Sequence, residues 1–332
     1  MARPDATREY QQRHGDRFAR TYFRRFGDCA VSSIGVGTYL GDPTDAADER
    51  YREAIVAALE GGCNVVDTAI NYRHQRSERV VGAALEAADI DREAVLVATK
   101  GGFVPFDGER PADPGATIRS EYVDAGLIDP ADLARGQHCI APAFVDDQLD
   151  RSLSNLGVDA VDLYYVHNPE TQLTARSRGA VYDQLEETFE LLELVVAPAA
   201  GSAAARAAGN AATHLRAIQL PFNVYMADAF TVAAHEGADG RQSALWFAHE
   251  AGLDVFTSAS LMQGRLAEEM PAEVASRVDG ETTAQRAINF ARSAPGVTSA
   301  LVGMGTPAHV TENVAAGEFE PLGADAFDAV FE

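Results

Sequence analysis

The sequence predicts an α/β fold, a (β/α)8 TIM barrel built from 332 residues, and three observations lead there. Strand-like apolar runs alternate with helical patterns over most of the chain, as parallel strands joined by crossover helices require. Three of those runs, over 64–66, 95–98 and 161–166, give way abruptly to reactive side chains: Asp67 with Tyr72 after it, Lys100, and His167. In a barrel the C-terminal strand ends converge on one mouth, so such residues meet there. Thirdly, a doubly wound open sheet would show a phosphate-binding glycine fingerprint after its first strand. Ile34-Gly35-Val36-Gly37-Thr38 is too short to be one.

The elements follow in order. A hairpin is expected over 22–31 with Gly27-Asp28 at its turn, then the first barrel strand over 33–37. A helix over 47–60 stops at Gly61-Gly62, since glycine readily takes the conformation that ends a helix. The strand to Asp67, a helix over 77–88 and the strand to Lys100 come next. Residues 103–142 form a long insertion rich in Gly, Pro and Asp, a length typical of functional lids or disorder. The pattern resumes with a helix over 144–156, whose Val145, Leu149, Leu153 and Leu156 share one face. The strand to His167 and a helix over 182–194 follow. Further strands are read at 215–220, 253–257 and 298–302, with helices over 242–250 and 283–294 and a short one from Pro307. The remaining strand unit falls at about 194–214, where 194–197 is either a shortened strand or part of a degenerate unit. The whole, 1–332, reads as a single barrel domain with a polar N-terminal extension over 1–20 and the 103–142 insertion at the catalytic face.

At 46% hydrophobic the chain can bury one large core. No run approaches the roughly 18 consecutive apolar residues of a membrane span, and 1–20 lacks the apolar centre of a secretory signal. Cys29, Cys63 and Cys139 are widely spaced with no metal-ligand rhythm, which favours a reducing cytoplasm over a disulfide framework and predicts no metal site. The net charge of −23, from 50 acids against 27 basic groups, repels nucleic acid and anionic membranes, so neither is expected as a partner. Acid excess with arginine in place of lysine suggests a halophilic protein. Lys100 is the single lysine, and it directly follows an apolar strand.

A phenol with a pKa of about 10 is a poor acid at neutral pH, and a cation held against it stabilises the phenolate. Lys100 can supply that charge and Asp67 can hold Lys100 protonated. Tyr72 then gives its proton to a carbonyl oxygen as hydride arrives, or takes one in the oxidative direction. His167 can hydrogen-bond the same oxygen. Singly, Asp67 could cap a helix, Tyr72 could merely pack, and His167 could serve the turn before Asn168-Pro169. Their succession at strand ends favours the catalytic reading.

Five segments add a resemblance: Gly35-Val36-Gly37-Thr38; Asp67-Thr68-Ala69-Ile70-Asn71-Tyr72 with Ser77-Glu78; Val97-Ala98-Thr99-Lys100; Asp162-Leu163-Tyr164-Tyr165-Val166-His167; and Val302-Gly303-Met304-Gly305-Thr306-Pro307 with Glu312-Asn313. With these the chain resembles the aldo-keto reductases, barrel oxidoreductases that use NAD or NADP. The resemblance implies a catalytic tetrad of Asp67, Tyr72, Lys100 and His167. It implies cofactor contacts from Gly37, Thr38 and Gln219, from a pyrophosphate loop with Ser258, Ser260, Leu261 and Gly264, and from a tail loop with Gly303, Met304, Gly305, His309, Glu312 and Asn313. Family members commonly hold the 2′-phosphate of NADPH with a Lys or Arg, a Ser and a later Arg where this chain has Gly303, Met304 and His309. Without fixed cations that dianion is poorly compensated, which favours NAD. The family's Gly-Val-Ser-Asn segment of the fifth strand is missing between 191 and 215. The expected substrate is a small aldehyde, ketone or sugar, the Gly-Met-Gly-Thr run resembling the sugar-dehydrogenase branch. An alternative is a paralogue with weak or lost cofactor binding that acts as a binding or regulatory protein. A metal-dependent hydrolase using His167 and Asp67 is disfavoured by Lys100 and by the single strand-end histidine.

Overall fold

The computed structural model of the chain describes residues 1–196, 214–237 and 240–331. Its strands are β1 (Phe23–Phe26), β2 (Cys29–Ser32), β3 (Ile34–Gly37), β4 (Val65–Asp67), β5 (Leu96–Gly101), β6 (Leu163–Val166), β7 (Ala217–Pro221), β8 (His235–Gly237), β9 (Gly240–Gln242), β10 (Asp254–Ser258) and β11 (Val297–Gly303). The chain divides into two compact units: Met1–Asp67, Ala83–Val97 and Arg216–Glu332 form one, Thr68–Gly82 and Ala98–Leu215 the other.

In the first unit five strands run parallel in the order β4, β3, β11, β10, β7. The register sets Gly37 beside both Asp67 and Gly303, and Gln219 beside Phe256, so the strand ends carrying candidate residues lie level. The expected hairpin is β1–β2, turning through Gly27 at φ +54°, a left-handed conformation that glycine adopts without a Cβ penalty. The helix Asp45–Glu60 begins where the Thr44 hydroxyl accepts the Ala47 amide at 3.3 Å. It ends at a glycine pair whose second member, Gly62, has φ +104°, and a Cβ there would stand 2.4 Å from the Phe18 ring. Phe222, Leu245, Val255, Leu266, Phe290 and Phe327 form the apolar core of this unit, each burial stabilising by roughly 1.5–3 kcal/mol.

The polar 1–20 segment contains the helix Pro4–His14, which packs by a narrow face. Thr7 Oγ1 accepts the Ala30 amide at 3.1 Å, and the buried Tyr10 hydroxyl donates to the Leu59 carbonyl. The short hairpin β8–β9 was not legible either, having no apolar alternation.

In the second unit Ala98–Gly101 of β5 pairs in parallel with β6, with Lys100 opposite Tyr165. The helices Pro142–Leu156 and Arg178–Val196 follow the expected pattern, the first closed by Gly157 at φ +63°. Residues 194–196 belong to that second helix rather than to a shortened strand, and 197–213 lie outside the described residues. The insertion is more ordered than its composition predicts. It contains a helix Pro114–Ile118 running into a π-helical turn Arg119–Val123, over a core of Val104, Ile118, Tyr122, Ile128, Cys139 and Phe144. Among the described residues no helix is long and apolar enough to cross a membrane.

Candidate active site

Three of the four expected catalytic residues converge in the second unit. Lys100 lies in β5 and is only 2% exposed. Its ammonium donates to the Thr68 carbonyl at 2.8 Å and lies 3.4 Å from the Tyr72 hydroxyl, 4.9 Å from the centre of that ring. A buried cation this close to a phenol acts on it strongly, because little water screens the charge. His167 follows β6; its amide donates to the Gly101 carbonyl at 2.7 Å, and its ring meets the Tyr72 ring edge-on at 5.7 Å. Burial, then the charges of Lys100 and His138, push the His167 pKa down to about 3, so the imidazole is neutral at physiological pH. Its Nδ1 is buried and makes no hydrogen bond among the described residues.

The loop after Tyr72 is left-handed at three successive non-glycine residues, Arg73, His74 and Gln75, with φ of 48°, 58° and 69°. Such conformations cost on the order of 1 kcal/mol each and persist only when neighbours enforce them. Here the insertion does so: the His74 carbonyl accepts the Gly108 amide at 2.9 Å, and Gln75 Nε2 donates to the Phe106 carbonyl at 3.1 Å. Behind β5 the buried Glu78 accepts Thr99 Oγ1 at 2.6 Å and Asn155 Nδ2 at 2.9 Å, which braces the strand carrying Lys100.

Asp67 and all the expected cofactor residues lie in the first unit. Asp67 is buried at the end of β4, its Oδ1 accepting Gln219 Nε2 at 2.8 Å and its carbonyl accepting the Thr38 amide and hydroxyl, both at 3.2 Å. Gln219 thus orients Asp67, a link no sequence signal announces. Ser258 ends β10 half-buried, and the buried Ser260 donates from Oγ to the Leu301 carbonyl at 3.0 Å. Leu261 packs against the apolar core, leaving its backbone as the polar part. The turn around it is left-handed at Ala259, Met262, Gln263 and Gly264 (φ 59°, 49°, 55° and 92°). The amides of Met262 and Gly264 turn back onto the carbonyls of Ala259 and Leu261, at 2.8 and 2.9 Å, which closes the turn on itself. Gly303 is exposed at the end of β11, Met304 is wholly buried, and Gly305 lies against the Tyr51 ring. His309 is exposed on the helix Pro307–Val314, while Glu312 is half-buried and Asn313 buried. Met304 therefore presents only backbone, and His309 is the one ionisable group among the three positions read for a 2′-phosphate. Among the described residues no group of three His, Cys, Asp or Glu could hold a metal ion.

The family model described as the Aldo/keto reductase family matches residues 33–213. The chain belongs to that family. It is 30% identical over 145 residues to an NADH-specific methylglyoxal reductase of Escherichia coli, covering 42% of this chain and 39% of that protein. It is 26% identical over 156 residues to a 6-dehydroglucose reductase of Agrobacterium fabrum, covering 47% and 46%. The chain thus spans less than half the length of these curated relatives in each match. Among solved structures, an aldo/keto reductase from Klebsiella pneumoniae in complex with NADP and acetate superposes with a TM-score of 0.58. That match has 20% identity and covers 93% of this chain and 94% of the other. The fold of this aldo-keto reductase is accordingly the α/β TIM barrel.

Proposed function

We propose that this aldo-keto reductase is a nicotinamide-dependent oxidoreductase of small aldehydes, ketones or sugars, with Tyr72 as proton donor and acceptor. The observation that carries the reading is the Lys100 ammonium, buried and 3.4 Å from the Tyr72 hydroxyl. A cation so placed stabilises the phenolate left when the proton departs. His167, neutral and with a buried ring nitrogen lacking a partner among the described residues, is suited to hydrogen-bond the substrate oxygen. Asp67 is the fourth residue assigned to the tetrad. A bound nicotinamide would supply or accept the hydride, and the resemblance assigns its dinucleotide to the loop with Ser258, Ser260, Leu261 and Gly264 and to the tail loop from Gly303 to Asn313.

The cofactor is NAD in preference to NADP. Support comes from Gly303, which has no side chain, and from Met304, which is buried, at positions where the family's 2′-phosphate site has a Lys or Arg and a Ser. An NADH-specific relative accords with this. The names of the relatives, a methylglyoxal reductase and a 6-dehydroglucose reductase, support a small carbonyl or sugar substrate.

Tyr72→Phe removes the proton donor and little else. Turnover of a carbonyl panel should fall at least about a hundredfold, while NADH affinity, read by titration, stays unchanged and exceeds NADPH affinity in both proteins. Turnover that survives the substitution ends the Tyr72 assignment. Binding of neither dinucleotide to the parent protein replaces the enzyme reading with that of a paralogue that has lost its cofactor.

A further inference from the structure

The insertion 103–142 contributes a residue to the site that no catalytic motif contains. His138 is wholly buried, and both its ring nitrogens are used. Nε2 lies 2.8 Å from the His167 carbonyl oxygen, and Nδ1 lies 3.0 Å from Gln172 Nε2. The same Gln172 nitrogen donates to the carbonyls of His138 at 2.8 Å and Asp132 at 3.2 Å. The two carbonyls take both hydrogens of that amide nitrogen, and the His167 carbonyl that Nε2 faces can only accept, so Nε2 is the ring nitrogen that must donate. The ring proton is thereby placed on Nε2, where it is donated to the His167 carbonyl. With the His167 amide already bonded to Gly101 at 2.7 Å, both backbone groups of His167 are held.

The approach is close enough to need special residues. A Cβ on Gly102, which has φ +138°, would stand 3.0 Å from the His167 carbonyl oxygen and 3.3 Å from His138 Nε2. Phe103 then lies edge-on to both imidazoles, 4.6 Å from His138 and 5.1 Å from His167. Asn168, at φ +47°, turns the chain sharply just after the held carbonyl.

We propose that His138 is a positioning residue: through its Nε2–H the insertion fixes the backbone from which the His167 imidazole projects. The proposal rests on the reading of His167 as the hydrogen-bond partner of the substrate oxygen. A buried histidine that only fills space would need neither a defined tautomer nor this partner.

Two substitutions separate positioning from packing. Gln places an amide N–H near the position of Nε2, whereas Phe keeps the ring volume and removes the donor. His138→Phe should lower kcat by up to about a hundredfold, the cost of small misplacement of a catalytic group. NADH affinity should stay unchanged, and His138→Gln should recover most of the loss. Equal kcat in parent and His138→Phe, or no recovery in His138→Gln, overturns the proposal. A measurement independent of turnover uses the unmodified protein labelled with nitrogen-15. At neutral pH the His138 ring should carry its proton on Nε2 with Nδ1 bare, and the opposite tautomer also overturns it. Failure of the Tyr72→Phe test with the Nε2 tautomer observed would remove the redox reading and leave the tether to His167 standing.

Discussion

Buried between a fixed ammonium and a second histidine, the His167 imidazole has a folded-state pKa of about 3 against an ordinary 6.5. Because the folded value is depressed, the unfolded chain takes up a proton that the native protein refuses. The stability from this group is therefore complete above about pH 6.5 and is lost as pH falls toward about 3. Glu78 works in the opposite sense, since burial raises its carboxyl above the usual range and favours the folded state at lower pH. The test is thus a difference: His167→Gln should flatten the decline in melting temperature between pH 6.5 and 4 relative to the parent, while the two proteins keep a constant offset above pH 7. Parallel curves throughout would show that the imidazole is solvated and freely titrating. Lys100 and His167 stood out in the sequence because each closely follows an apolar run, and the structure places both beside Tyr72. Gln219, read as a cofactor contact, also donates to Asp67 Oδ1, a bond between residues too far apart in sequence for any local pattern to show. His138 gave no signal, since its partner is the backbone of a residue distant in sequence.

At the scale of elements, the sequence was most legible where chain geometry is local. Gly27 marks the hairpin turn, Thr44 and Gly61-Gly62 bracket a helix, and Gly157 closes another. The order within the insertion was not legible because its apolar residues, Val104, Ile118, Tyr122, Ile128 and Cys139, follow no fixed period and reveal themselves only by meeting in space, with Phe144 of the next helix. The end of the helix Arg178–Val196 was read as a possible strand because Leu194-Val195-Val196 suits either state and no stop residue precedes it. Gly82 shows how packing overrules propensity. Within a helix, glycine to alanine ordinarily stabilises by about 1 kcal/mol. Here a Cβ would lie 2.5 Å from the Leu156 carbonyl oxygen and 3.2 Å from that of Asn155, at the end of the helix Pro142–Leu156. Backbone cannot yield as a side-chain tip can, and overpacking of this kind costs about 1–3 kcal/mol. Moving Asn155 would also loosen its 2.9 Å bond to Glu78 behind the Lys100 strand. Gly82→Ala should therefore lower the urea midpoint and reduce turnover together. A raised midpoint would mean that helix propensity prevails and that the two helices do not approach so closely.

For the whole molecule the governing quantity is charge, −23 from 50 acidic and 27 basic residues. Several arginines are committed to exposed pairs, among them Arg17 with Glu318 at 2.8 Å, Arg52 with Glu49, and Arg25 with Asp28 at 3.4 Å. Such pairs each contribute about 0–1 kcal/mol and weaken in salt. With acids so far in excess of basic groups, mutual repulsion among them outweighs the pairs when screening is weak. The screening length shortens from about 30 Å at 0.01 M salt to about 3 Å at 1 M, which takes the repulsion from molecular dimensions down to contact distance. Melting temperature should therefore rise with sodium chloride, most steeply at the dilute end, where each increment of salt removes the most repulsion. Adaptation to brine adds a second expectation: the rise continues above about 1 M, where screening is already complete and only salt-favoured burial remains. A melting temperature that is flat or falls across the dilute range would show that the exposed pairs dominate and the acid excess is structurally silent. A plateau at about 1 M would keep the repulsion and discard the halophilic reading.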